Sequence, residues 1–155
     1  MVIPEAVYRV VEKKLRQRDR ILGRAEEALM RARAKATDIS APSGAVNGPK
    51  GGKPGSRTER GALAVVRAER RLATARKWMA VFREMDRVYP PESNEGYVAG
   101  MIYGNGMSQA ELARASGCSR QTVKLRQDRY VIRCAFLAAQ AGLIREEVTT
   151  DEWQR

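Results

Sequence analysis

The chain has 155 residues, a formal charge of +11, a pI near 10.3, two cysteines and no histidine. This length holds one or two small domains, and the charge points to a polyanionic partner. No metal-ligand spacing, membrane-length apolar run or secretory signal is present, so a cofactor-free, metal-free, cytoplasmic protein without a membrane partner is expected.

Residues 4–36, within an N-terminal segment 1–37, read as one long amphipathic helix, with Pro4 suited to its first turn. Val11, Leu15, Leu22, Ala25, Leu29 and Ala32 recur at spacings of three and four, a heptad-like stripe interrupted by Arg18. Its other faces are charged, so the helix needs a partner for its seam. Residues 38–57 hold five glycines and three prolines with few bulky apolar side chains, the composition of a flexible linker. Lys50, Lys53 and Arg57 there have access to phosphates, although solubilising charge is the plainer role.

Residues 58–90 read as a second long helix, with Ser56 and Glu59 as a candidate capping box. Val65, Ala68, Leu72, Ala75, Met79, Phe82 and Tyr89 form its stripe, and Pro90 and Pro91 stop it. Two such helices around a flexible connector predict an antiparallel, coiled-coil-like hairpin or a dimer-forming coil. A short helix follows over 94–103, and Gly104, Asn105 and Gly106 supply a turn.

Residues 108–125 carry the strongest signal. Ser108 and Glu111 have capping-box spacing, Gly117 falls where the chain must turn with positive φ, and Ser119 caps the next helix. Leu112, Ala113 and Val123 sit where two crossing helices touch, and Cys118 is a small apolar plug. These offsets match a helix-turn-helix, against the plainer possibility of an ordinary helical corner. The expected trihelical unit, 94–144, buries Tyr97, Val98, Met101, Ile102, Leu112, Val123, Tyr130, Cys134 and Leu137. Both cysteines are expected to be free thiols in small apolar sites. From Tyr130 to Ile144 the last helix is apolar on nearly every face, which calls for cover from the hairpin, a second subunit or both, and motivates a homodimer. The tail, 145–155, is acidic and solvated by default.

The fold expected is therefore all-α: a long helical hairpin, then a trihelical unit. Between 96 and 145 there are seven Lys/Arg against two acids, and Arg120, Lys124, Arg126, Arg129 and Arg133 share the second helix of the motif. At about 100° per residue, Arg120, Gln121, Lys124 and Asp128 lie opposite Val123, Tyr130, Cys134 and Leu137. The first two turns of a recognition helix reach base edges, which assigns direct readout to Arg120, Gln121 and Lys124. Asp128 either accepts from a cytosine amino group or orients Lys124. Ser108 and Gln109, at a helix N-terminus, suit a phosphate; Ser119 and Thr122 add hydroxyls. Arg126, Arg129 and Arg133 flank the reading face and meet phosphates or the acids of another helix. No catalytic residues are assigned.

These residues support a family resemblance. The segments SRTERGALAVVRAERRL at 56–72, FREMDRVYP at 82–90 and IYGNGMSQAELARASGCSRQTVKLRQDR at 102–129 resemble phage late-gene transcriptional activators of the RinA/ArpU type, whose trihelical unit is similar to region 4 of sigma factors. The resemblance implies a phage or prophage regulator on double-stranded DNA in a bacterial host, near the nucleoid, with host RNA polymerase a possible partner. Carried over by position, Ser119, Arg120, Gln121, Thr122 and Lys124 are its DNA-reading residues. The chain departs from the pattern at Arg126 and Gln127, where an aliphatic residue is common, and in its long apolar stretch after Tyr130. Competing assignments are a phage terminase small subunit, distinguished by a large ring assembly, and a sigma-like adaptor that docks polymerase without an operator.

Overall fold

The structure is a computed structural model that describes residues 3–40 and 57–144. Among the described residues there are six α-helices and no strand: α1 (Glu5–Arg16), α2 (Arg18–Ser40), α3 (Arg57–Val88), α4 (Asn94–Ala99), α5 (Gln109–Ser116) and α6 (Arg120–Gln140). A π-helical turn, Gly100–Gly104, continues α4. The chain is all-helical, as its periodicities predict. The Ser56 cap, most of the Gly/Pro-rich segment and the acidic tail lie outside the described residues.

The chain divides into two compact units, one of Arg20–Arg76 and the other joining Met1–Asp19 to Lys77–Arg155. In the first, Ala25 and Leu29 of α2 pack on Ala68, Leu72 and Ala75 of α3, bordered by Ile21, Leu22, Ala32 and Val65. Three of the five buried residues are alanines, so the seam is thin. Met30 stays 71% exposed and Leu63 52%.

In the second unit three helices each bury an apolar face: Val7, Val11 and Leu15 of α1, Trp78, Val81, Phe82 and Met85 of α3, and Tyr130, Val131, Cys134, Ala135 and Ala138 of α6. Both α1 and α4 pack on α6, and Tyr89 stacks on Tyr130 with ring centroids 5.8 Å apart. A second cluster joins Val98, Ile102, Leu112, Ala113 and Val123, with Met101, Tyr103, Met107 and Cys118 against it. Gly96 is where α4 crosses the end of α3: an added Cβ would lie 2.2 Å from the Pro90 carbonyl oxygen and 2.6 Å from that of Tyr89.

Several expectations are corrected. The helix expected over 4–36 is two, parted at Gln17, whose N–H donates to the Lys14 and Leu15 carbonyls. The break adjoins Arg18, the cation that interrupts the apolar stripe. Its guanidinium lies 5.5 Å from the Phe82 ring centroid and donates to both carboxylate oxygens of Asp86. The second helix runs to Ser40, past the expected limit at 37. The helix expected over 94–103 changes winding after Ala99, where the Asn105 N–H reaches back to the Gly100 carbonyl. Tyr97, assigned to the trihelical centre, is 42% exposed, and Leu137 is only half-buried. Finally, α6 ends at Gln140 rather than Ile144, because Gly142 adopts φ 67° and turns the chain. The residues of its apolar stretch that are buried, Tyr130, Val131, Cys134, Ala135 and Ala138, are covered within the chain.

Candidate nucleic-acid interface

The geometry of the α5–α6 pair follows from short-range chemistry. The Ser108 Oγ accepts from the Glu111 N–H at 3.3 Å, and a Glu111 carboxylate oxygen accepts from the Ser108 N–H at 2.8 Å, so two backbone donors at the start of α5 are satisfied locally. The Ser108 backbone and hydroxyl bonds hold the Glu111 carboxyl below its ordinary pKa. Gly117 ends α5 with φ 65°, a left-handed conformation that side-chain-bearing residues adopt at a cost. The Cys118 N–H then reaches back to the Ala113 carbonyl at 3.2 Å. Ser119 opens α6, its Oγ accepting from the Thr122 N–H at 3.0 Å and sharing a hydrogen bond with the Thr122 hydroxyl at 2.8 Å. Leu112 and Val123, each 1% exposed, close the contact between the helices.

This arrangement puts Arg120, Gln121 and Lys124 on the open side of α6. All three are exposed, and among the described residues none makes a hydrogen bond or ion pair. The other cations of the helix are engaged. Arg129 pairs with Glu95 of α4 at 3.4 Å, Arg133 lies 5.5 Å from the Phe136 ring centroid, and Arg126 donates to the Cys118 sulfur at 3.9 Å.

The remaining site candidates are placed differently from the expectation. Asp128, assigned to a cytosine or to Lys124, accepts instead from the Tyr8 hydroxyl at 2.8 Å. Gln109, assigned to a phosphate, is half-buried and donates to the Gln127 side-chain oxygen at 2.7 Å. Ser108, Ser119 and Thr122 are at the two helix starts as expected, with their hydroxyls used in capping. Arg129 is on an acid of another helix rather than open to solvent alone.

Gln127 is the residue that sequence reasoning missed. It is 4% exposed, and its amide nitrogen donates to Glu12 at 3.0 Å and to the Tyr103 hydroxyl at 2.8 Å. Tyr103 donates in turn to the same Glu12 oxygen at 3.0 Å. A glutamine between a polar and an apolar face signals a buried amide only weakly, and nothing local pairs it with residue 12. Together with Tyr8 and Asp128, this network fixes α1 across α6 one turn beyond Lys124. Burial above all, reinforced by Asp128, raises the Tyr8 pKa, and burial likewise raises that of Tyr103, so both hydroxyls keep their protons.

A cleft of about 280 Å3 also opens in this unit, lined in part by Tyr89, Tyr103 and Tyr130. Its charged lining residues are Arg18, Asp19 and Asp86, of which Arg18 and Asp86 are bonded to each other. Among the described residues no group of His, Cys, Asp and Glu is placed to hold a metal ion, and no helix is long and apolar enough to cross a membrane.

Compared with protein-family models, curated proteins and solved structures, the chain matches none. The candidate site therefore rests on its own geometry.

Proposed function

We propose that the chain is a sequence-specific duplex-DNA-binding regulator, in which α5, the Gly117 turn and α6 act as a helix-turn-helix and α2 and α3 form an antiparallel hairpin. The observation that carries this reading is the division of the cations on α6. Among the described residues, Arg126, Arg129 and Arg133 are engaged with the protein, while Arg120 and Lys124, with Gln121, are exposed and make no hydrogen bond or ion pair in the first two turns. Those turns are the part of a recognition helix that reaches base edges. Arginine presents a two-point donor pair to guanine O6 and N7, and glutamine matches adenine N6 and N7, each good for about 1–3 kcal/mol of discrimination.

The position of α1 supports the same face. With Tyr8 bonded to Asp128, the third turn of α6 is occupied by protein, leaving Arg120 to Lys124 as the part free to enter a groove. Asp128 thereby leaves the set of base-reading residues, and Gln109 positions Gln127 instead of a phosphate. A phage late-gene role of the RinA/ArpU kind belongs to this proposal as its biological setting.

The test is selection of bound duplexes from a random pool by the full chain. One enriched sequence is expected, with Arg120→Ala losing the preference for it over random duplex by about tenfold or more, equivalent to the roughly 1–3 kcal/mol of one bidentate contact. A pool that enriches no sequence, or an Arg120→Ala protein with unchanged preference, overturns the proposal.

A further inference from the structure

The unit Arg20–Arg76 carries a charge asymmetry that base reading by α6 does not use. Arg60, Arg67 and Arg71 of α3 recur at spacings of seven and four, which places them along one line of a helix with 3.6 residues per turn. The apolar seam of Ala68, Leu72 and Ala75 borders that line on one side. Glu69 lies on the far flank of the seam, where it accepts from Arg33 of α2 at 3.1 Å.

That ion pair settles which flanks adjoin. The Arg33 flank of α2 meets the Glu69 flank of α3 along one edge of the seam. The opposite flank of α2, which carries Arg24 and Lys35, therefore adjoins the line of Arg60, Arg67 and Arg71 along the other edge. The acids are elsewhere. Glu26 falls on the Arg33 edge, while Glu27, Asp38 and Glu59 sit on the outer backs of the helices, Glu27 pairing there with Arg31. One edge thus presents Arg24, Lys35, Arg60, Arg67 and Arg71, all exposed, with no acid among them. Among the described residues none of these five has an ion pair or hydrogen bond.

Like charges one helical turn apart, as at Arg67 and Arg71, repel and weaken the helix. A bound polyanion reverses that cost. Four of the five cations are arginines, which engage phosphate with two parallel N–H donors. From Arg60 to Arg71 the line rises about 16 Å, a length of duplex over which each strand carries about five phosphates. An anionic membrane surface fits less well: Leu63 is exposed beside the line, but surface-lying helices also set aromatic side chains against their basic face. Arg20–Arg76 contains no Trp, Tyr or Phe.

We propose that this edge is a second, sequence-independent phosphate-binding surface that grips the backbone of duplex DNA. It stands independently of base reading by α6. The test uses the full chain and a random-sequence duplex, with affinity measured by fluorescence anisotropy across a salt series. The variant is Arg60→Gln/Arg67→Gln/Arg71→Gln. A control of equal charge, Arg70→Gln/Arg76→Gln/Arg83→Gln, removes exposed arginines that lie off this edge, and circular dichroism checks that both keep their helix content.

At about 0.9 per phosphate contact, the edge variant loses about 2–3 from the slope of log K against log salt and binds at least about tenfold more weakly at low salt. The control keeps its slope within about one unit. Equal losses in both variants overturn the proposal, since they reveal diffuse charge rather than a site. So does an edge variant that keeps duplex binding but loses binding to vesicles of phosphatidylcholine with phosphatidylserine. Failure here is separable from failure of base reading: the edge variant weakens all sequences alike, whereas Arg120→Ala changes their ranking.

Discussion

Replacing Gln127 with leucine tests whether the buried amide, rather than apolar contact alone, holds α1 onto α6. The substitution keeps approximate volume but removes two donors and one acceptor that now bond to Glu12, Tyr103 and Gln109. A neutral hydrogen bond contributes about 0.5–1.5 kcal/mol and one to a charged group about 1.5–3, so the gross loss is about 3–5 kcal/mol. Burying leucine at the same place returns about 1–2 kcal/mol. The former partners limit the damage, because Tyr103 and Glu12 retain their mutual bond and both are only half-buried, as is Gln109. A net destabilisation of about 2 kcal/mol is expected, lowering a urea midpoint by about 1 M at a slope of about 2 kcal/mol/M. Trp78, 2% exposed in the same unit, supplies the fluorescence signal, read in a Trp153→Phe background. Glu12→Gln should cost less, because it keeps an acceptor at the same place. A Gln127→Leu protein within about 0.5 kcal/mol of the parent would refute the reasoning, as surface changes without structural consequence fall in that range.

Gly117→Ala should cost about 1 kcal/mol by forcing a side-chain-bearing residue to φ 65°, and Gly96→Ala more, since its Cβ would meet two backbone carbonyls; calorimetric melting gives the order. Alkaline stability should fall above pH 9, because burial raises the Cys134 thiol from 9.0 to about 12 and the Tyr130 hydroxyl from 10.0 to about 12. The sign follows from linkage: between the unfolded and folded values the unfolded chain binds fewer protons, so stability is intact below the unfolded pKa and lost as pH rises toward 12. Denaturant melts of Cys134→Ala should show this onset moving up toward pH 10; an unchanged onset contradicts the assignment. At pH 8 an aromatic disulfide reagent should modify half-buried Cys118 in the native protein and reach Cys134, 0% exposed, only on unfolding, as peptide mapping would show.

The parts legible in the sequence are those whose chemistry is local. Ser108 with Glu111, the left-handed Gly117 and the Ser119 cap fall within a dozen residues, and each needs a particular residue type at a particular offset. The apolar stripes likewise locate the helices, since burial enforces their period. What the sequence hides is pairing across the chain. Tyr8 finds Asp128 at a separation of 120 residues, and Glu12 finds Gln127 at 115; no periodicity encodes either partnership. Arg18 looks like a flaw in an apolar stripe until Asp86 and Phe82 are brought to it.

The same distinction decides how a basic helix is to be understood. Arg120, Lys124, Arg126, Arg129 and Arg133 are equivalent as sequence, five cations on one helix. Structure separates them by what each has already spent its donors on: Arg129 on Glu95, Arg133 on the face of Phe136, Arg126 on the Cys118 sulfur. A cation that already contacts the protein brings fewer free donors and a more constrained side chain to a phosphate or a base, whereas Arg120 and Lys124 have no such contact among the described residues. The affinity of α6 for a polyanion should therefore respond far more to the first two turns than to the last three. On the α2–α3 edge, where none of the five cations has a hydrogen bond or ion pair among the described residues, the response should be spread along the whole line.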